Sequence, residues 1–291
     1  MNKALLLSLA LFCCGLQMQA QTMTEDEIMA KLNEASALDN AKKTAEALDA
    51  FLLIGKNMEQ QRTEVEHQIY VYCQAKACMC YETLKRYKEA YLLAKKLMSG
   101  SLTEKEKKDV AHLYAMNGYM YATSFMHGNN RQLVKARTIL EGIMPYADGK
   151  VREYALPKIP LSWYFEAAEY HLSQRYDKAL ACYQNALKGF MELRKTDDEI
   201  SVLRHIAEIK GTLYDGIGSE NAYKQALYLS RQTGKSDAQM EILKELWKIG
   251  KTIGDVQQAQ AYAASIDSLV DATSDLQTKY TYYNQKGNEA R

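Results

Sequence analysis

The side chains able to do chemistry in this 291-residue chain are five histidines, six cysteines, 21 tyrosines and several adjacent acids. A zinc site would call for C-x-x-C or two histidines at ligand spacing, and neither pattern occurs. Hydrolysis or phosphoryl transfer would call for H-E-x-x-H, G-x-S-x-G or a glycine-rich loop after a strand, and these are missing too. His67, His112, His127, His171 and His205 fall on different segments with no constant partner. Asp197, Asp198 and Glu199 stand where a helix begins, and the helix dipole favours negative charge there. These residues predict no enzyme, no cofactor and no metal. Cys73, Cys78 and Cys80 share one predicted helix, five and two residues apart. They point in different directions and are not placed for a local disulfide. Cys78 falls where close packing wants a small residue.

The elements that must position these groups announce themselves at their starts. Six times a Thr or Ser is followed three residues later by Glu or Gln: Thr24/Glu27, Thr63/Glu66, Thr103/Glu106, Thr196/Glu199, Ser236/Gln239 and Ser274/Gln277. Such a capping box satisfies two amides that the first turn of a helix leaves free. Its recurrence about every 40 residues predicts an array of helix pairs. Only three prolines occur, and the stretch Ala155-Leu156-Pro157-Lys158-Ile159-Pro160 replaces the box of one unit. Two prolines there predict an extended lead-in, and hence a kink without a domain boundary.

The clearest unit contains Trp163-x-x-Glu166-Ala167-x-x-Tyr170, then Tyr176-x-x-Ala179-x-x-x-Tyr183-x-x-Ala186-Leu187. This resembles the tetratricopeptide repeat (TPR), with Glu166 where Leu is usual, a departure that weakens one contact. Related skeletons surround Tyr81 to Leu97, Tyr114 to Ile143, Thr44 to Ile54 and Gly254 to Ile266, and one unit has a turn-rich insertion at His127-Gly128-Asn129-Asn130. The second-helix anchors Ala47, Ala90, Ala136, Ala179, Ala222 and Ala259 are 43, 46, 43, 43 and 37 residues apart, although Ser219 competes with Ala222 for its place. The resemblance implies an all-α, TPR-like right-handed superhelix (an α-solenoid) of about six helix pairs plus a terminal helix, over residues 21–291. It also implies a concave groove lined by first helices, into which Tyr72, Tyr119, Tyr164, His171 and Arg204 would point. Aromatic and Arg side chains are the types enriched at binding hot spots. On the last helix Leu276, Tyr280 and Tyr283 form one apolar stripe, either closing the stack or opening a unit that continues.

Charge excludes some partners. With 37 basic and 36 acidic residues, the chain has no electrostatic footprint for nucleic acid. Lys3, the apolar run Ala4 to Leu16 and the polar end at Ala20 read as a signal peptide over residues 1–20. Lipidation at Cys13 or Cys14 is the rival reading, with Phe12 an awkward neighbour. The expected protein is therefore an exported, periplasmic, non-enzymatic TPR scaffold for a peptide or protein partner. The alternative is the sensory ectodomain of a membrane-bound kinase or transcriptional regulator. Membrane contact would come only through a lipid anchor or a further C-terminal segment.

Overall fold

A computed structural model describes residues 24–60, 63–128 and 130–289. The expected leader, with Cys13 and Cys14, lies outside them. The described residues form helices and no strand, and none of these helices is long and apolar enough to cross a membrane. The chain divides into two compact units. Unit 1 runs to His127 and adds Thr138–Glu153; unit 2 comprises Gly128–Arg137 and everything from Tyr154 onward.

Unit 1 contains α1 (Glu25–Asn40), α2 (Thr44–Asn57), α3 (Glu64–Thr83), α4 (Tyr87–Met98) and α5 (Glu104–Ser124). The C-terminal part of α6 (Leu133–Ile143) and most of α7 (Gly149–Ala155) also belong to it. Each helix from α1 to α5 packs on the next, and short connections force neighbours to run antiparallel. The first helix of each pair, α1, α3 and α5, opens with its expected capping box. Thr24, Thr63 and Thr103 each accept from the N3 amide, and their own amides donate to Glu27, Glu66 and Glu106 at 2.8 Å. Small residues on the second helices let the backbones approach, and Ala47, Ala90 and Ala94 are fully buried. Cys73, Cys78 and Cys80 are buried and free, as packing predicts, and burial pushes the Cys73 and Cys78 thiols up to about 12.

Unit 2 contains α8 (Lys158–Leu172), α9 (Tyr176–Glu192), α10 (Thr196–Thr212), α11 (Gly216–Gln232), α12 (Ser236–Ile253), α13 (Val256–Ala272) and α14 (Leu276–Glu289). Its period is set by the turns. Gln174, Arg194, Tyr214, Gly234 and Gly254 all have positive φ, and they recur every 20 residues. At each, the following amide reaches back to a carbonyl five residues earlier: Arg175 to Tyr170, Lys195 to Phe190, Asp215 to Lys210, Lys235 to Ser230 and Asp255 to Gly250. This is a Schellman C-cap. The residue after the left-handed one also serves as N-cap of the next helix.

That geometry overturns two expected capping boxes. A box needs the N-cap amide to be free for the N3 carboxylate, and here the previous helix has already taken it. Thr196 and Ser236 lie inside their helices, the N-caps are Lys195 and Lys235, and neither makes a side-chain cap. Glu199 is instead buried, and the Gln239 amide donates to Ser230 O at 3.0 Å. The third failure is Ser274: Asp275 accepts from the Gln277 and Thr278 amides in its place.

The same register corrects an anchor. Ser219, not Ala222, occupies the position of Ala179 and Ala259, and its hydroxyl donates to Ala207 O at 2.8 Å. The unequal steps of the Ala222 reading become two steps of 40.

The proline stretch is also different from expectation. Pro157 has φ −68° and ψ −17°, which is helical, and Pro160 sits at the third position of α8. Its missing N–H costs nothing there, because first-turn amides have no partner within the helix. Its ring lies 2.7 Å from where a Cβ on Gly189 would stand, so α8 and α9 meet at a position only glycine allows. Nor is Glu166 a weakened contact. Arg137, from the N-terminal part of α6, donates to Glu166 at 2.8 Å and to Ser162 at 3.2 Å, and stacks 3.3 Å above the Trp163 ring centroid.

On α14 the expected stripe is misassigned. Tyr280 is 68% exposed, whereas Tyr282 packs on the core and donates to Asp267 at 2.9 Å. Lys286 also pairs with Asp267, and these two donors hold its carboxyl below the usual range.

Candidate functional site

The 40-residue register brings α8 and α10, first helices of successive pairs, side by side in unit 2. Tyr164 of α8 donates its hydroxyl to His205 Nε2 of α10 at 3.1 Å, and His205 Nδ1–H donates to Glu208 Oε2 at 3.0 Å. One tautomer of His205 satisfies both bonds. His171, two turns along α8 from Tyr164, has its ring 6.1 Å from that of His205. Beneath them the fully buried Tyr183 of α9 stacks on His205, with centroids 5.3 Å apart and planes at 14°. Tyr164 and His171 also meet the edge of Tyr183, at 5.7 and 6.4 Å. Next to the cluster Arg204 pairs with Glu241 of α12 at 2.6 Å.

The electrostatics follow from partial burial and one carboxylate. Burial lowers the His171 pKa, against the pull of Glu208. Tyr164 is raised by burial and then by the Glu208 and Asp198 charges. Glu208 is lowered, first by the hydrogen bond from His205 and then against its own burial. The result is a half-exposed aromatic and imidazole surface with one ionised carboxylate and a neighbouring guanidinium. It can offer hydrogen bonds, ring faces and imidazole nitrogens to a ligand.

Of the residues expected to line a groove, Tyr164 and His171 are thus brought together and Arg204 lies alongside. Tyr72 and Tyr119 belong to unit 1, on α3 and α5. Tyr72 is just under half exposed, edge-on to Phe51 at 6.3 Å, and Tyr119 is partly buried. His205, Glu208 and Tyr183 were missed. The histidines were expected to have no constant partner, yet His171 and His205 meet each other, and the turn period was the signal: with a 40-residue step, Tyr164 falls opposite Arg204 and His205.

Other concave features lie elsewhere in unit 2. A cleft of about 540 Å³ is lined by Leu187, Leu203 and Tyr228, and another of about 320 Å³ by Trp247, Ile266 and Tyr282. The turns on one edge carry exposed apolar side chains, with Leu172 87% and Tyr214 97% exposed.

Helix pairs with small anchors and repeating turns decide the architecture. It is a TPR-type helix repeat. No protein-family model matches the sequence, and no curated protein matches it either. Solved structures of similar type include the C-terminal part of a TPR repeat-containing protein from Cytophaga hutchinsonii, 16% identical, with 83% of this chain and 96% of that one covered and a TM-score of 0.35. Aspartyl phosphate phosphatase F from Bacillus subtilis is 10% identical over 91% and 79% of the two chains, with a TM-score of 0.40. TPR-like repeats of a kinesin light chain from Podospora anserina are 12% identical over 70% and 97%, with a TM-score of 0.36. Likenesses at this level carry no argument about what the TPR-type array described above binds or does.

Proposed function

We propose that this protein is an exported, periplasmic, non-enzymatic scaffold that binds a peptide or protein segment along the first-helix face of unit 2. The observation that supports this reading is the convergence of Tyr164, His171, Arg204, His205 and Glu208, contributed by successive first helices, on one half-exposed face. Stacked first helices offer an extended surface for a chain to lie along, and aromatic and Arg groups are the usual anchors there. Export rests on the Lys3-to-Ala20 pattern, and the secreted species should begin at Gln21 by intact mass.

Arg204→Glu tests the binding face. Its ion pair with Glu241 is partly exposed, and losing such a pair costs about 0–1 kcal/mol. Because the new carboxylate also faces Glu241 and Glu208, Arg204→Gln is the matched variant whose melting should hardly change. Affinity capture from the periplasmic fraction should recover a defined protein or peptide with the wild type and lose it with Arg204→Glu. Identical captured profiles for the two would overturn the assignment of the face.

A further inference from the structure

We infer that His171, His205 and Glu208 form a binding site for one divalent transition-metal ion, of the zinc, cobalt or nickel class. Each side chain offers one donor atom, and the three donors lie within 4.8 Å of one another. Zinc bonds of about 2.0–2.2 Å place tetrahedral ligands roughly 3.3 Å apart. His205 Nδ1 and Glu208 Oε2, at 3.0 Å, already have that spacing. His171 has to close a gap of no more than about 1.5 Å, within reach of a side-chain rotation.

The backbone supports the same arrangement. His205 and Glu208 stand three residues apart on α10 and share a face, as in the i,i+3 carboxylate and histidine pairs of helical-bundle metal sites. His171 arrives from the neighbouring first helix, so the ion would join two successive repeats. Tyr164 supplies the outer contact. When Nδ1 of His205 takes the metal, its proton moves to Nε2, and Nε2–H then donates to the Tyr164 oxygen, whose hydroxyl turns away. No proton is lost from the imidazole in this exchange. The stacked Tyr183 ring holds His205 in place in both states.

Ligand chemistry sets the class of ion. Two imidazoles and one carboxylate suit zinc, cobalt, nickel and copper, whereas magnesium and calcium prefer oxygen alone. Glu208 is exposed, so a fourth position is open to water or to a donor group from a bound partner. The site requires no peptide on the face, and peptide binding there requires no metal.

Titration of the purified protein with zinc, and separately with cobalt, tests the assignment. One equivalent should bind saturably, and cobalt should show the visible absorption of a four-coordinate nitrogen and oxygen site. His171→Ala, His205→Ala and Glu208→Gln should each weaken binding tenfold or more, while His112→Ala and Cys182→Ala leave it unchanged. Glu208→Gln keeps the side-chain volume at an exposed position, so it decides the matter even if a histidine variant does not fold. Absence of saturable binding, or wild-type affinity in Glu208→Gln, would overturn the site. Magnesium binding in preference to zinc would overturn it as well.

Discussion

Arg137 and Glu166 form an ion pair that water barely reaches, with Trp163 stacked on the guanidinium and Ser162 taking a further hydrogen bond. Glu166 departs from the usual TPR residue, and the tertiary structure explains why: the site that Leu would fill faces a cation from α6. Removing one partner of a buried pair leaves the other uncompensated, which typically costs about 3–5 kcal/mol. Arg137→Ala should lower the urea midpoint accordingly. The double change Arg137→Leu with Glu166→Leu should recover most of that loss, because apolar replacement of both partners is often close to neutral. Additive losses in the double variant would show that the pair is not coupled.

At the scale of elements, unit 2 is organised by one turn used five times. Each turn places a residue in the left-handed region, where L side chains other than glycine are strained by about 1–2 kcal/mol. Gly234 and Gly254 avoid this, but Gln174, Arg194 and Tyr214 do not. Tyr214 is 97% exposed, so its side chain holds no packing to lose. Tyr214→Gly should therefore stabilise the protein by about 0.5–1 kcal/mol, after the entropy that glycine costs in the unfolded chain. A lower denaturation midpoint for that variant would mean that the strain is relieved elsewhere. These turns were hidden from a capping-box reading because that reading looks for Ser or Thr. Here the N-cap is Arg, Lys or Asp, and its conformation is imposed by the helix before it.

Over the whole of unit 2, each helix pair is stabilised by the next, so a defect at a fully buried anchor weakens the contacts of its pair and of the neighbouring one. Ala179 on α9 is fully buried, while Ala263 on α13 is only partly buried and has the last helix, α14, after it. Overpacking a full site costs about 1–3 kcal/mol or more. Ala179→Trp should destabilise the protein clearly more than Ala263→Trp, measured as the shift in urea midpoint. Equal shifts would contradict the repeat register.

The helical class, the pairing of helices and most of the buried anchors were legible in the sequence. Ala47, Ala90, Ala136, Ala179 and Ala259 announce themselves by local spacing, and a helix reports its own periodicity within a few turns. The capping boxes of unit 1 were legible for the same reason, since all their partners lie within four residues. The site was not. His171 and His205 are 34 residues apart, and they meet only because three-residue turns return α10 to the side of α8. Ser219 takes an anchor position because its hydroxyl finds Ala207 O on another helix, and Tyr282 turns inward because Asp267 is there to accept its hydroxyl. Local hydrogen bonds and apolar spacing are written along the chain. Which polar groups satisfy one another across helices depends on turn geometry, and that was decided by the tertiary structure alone.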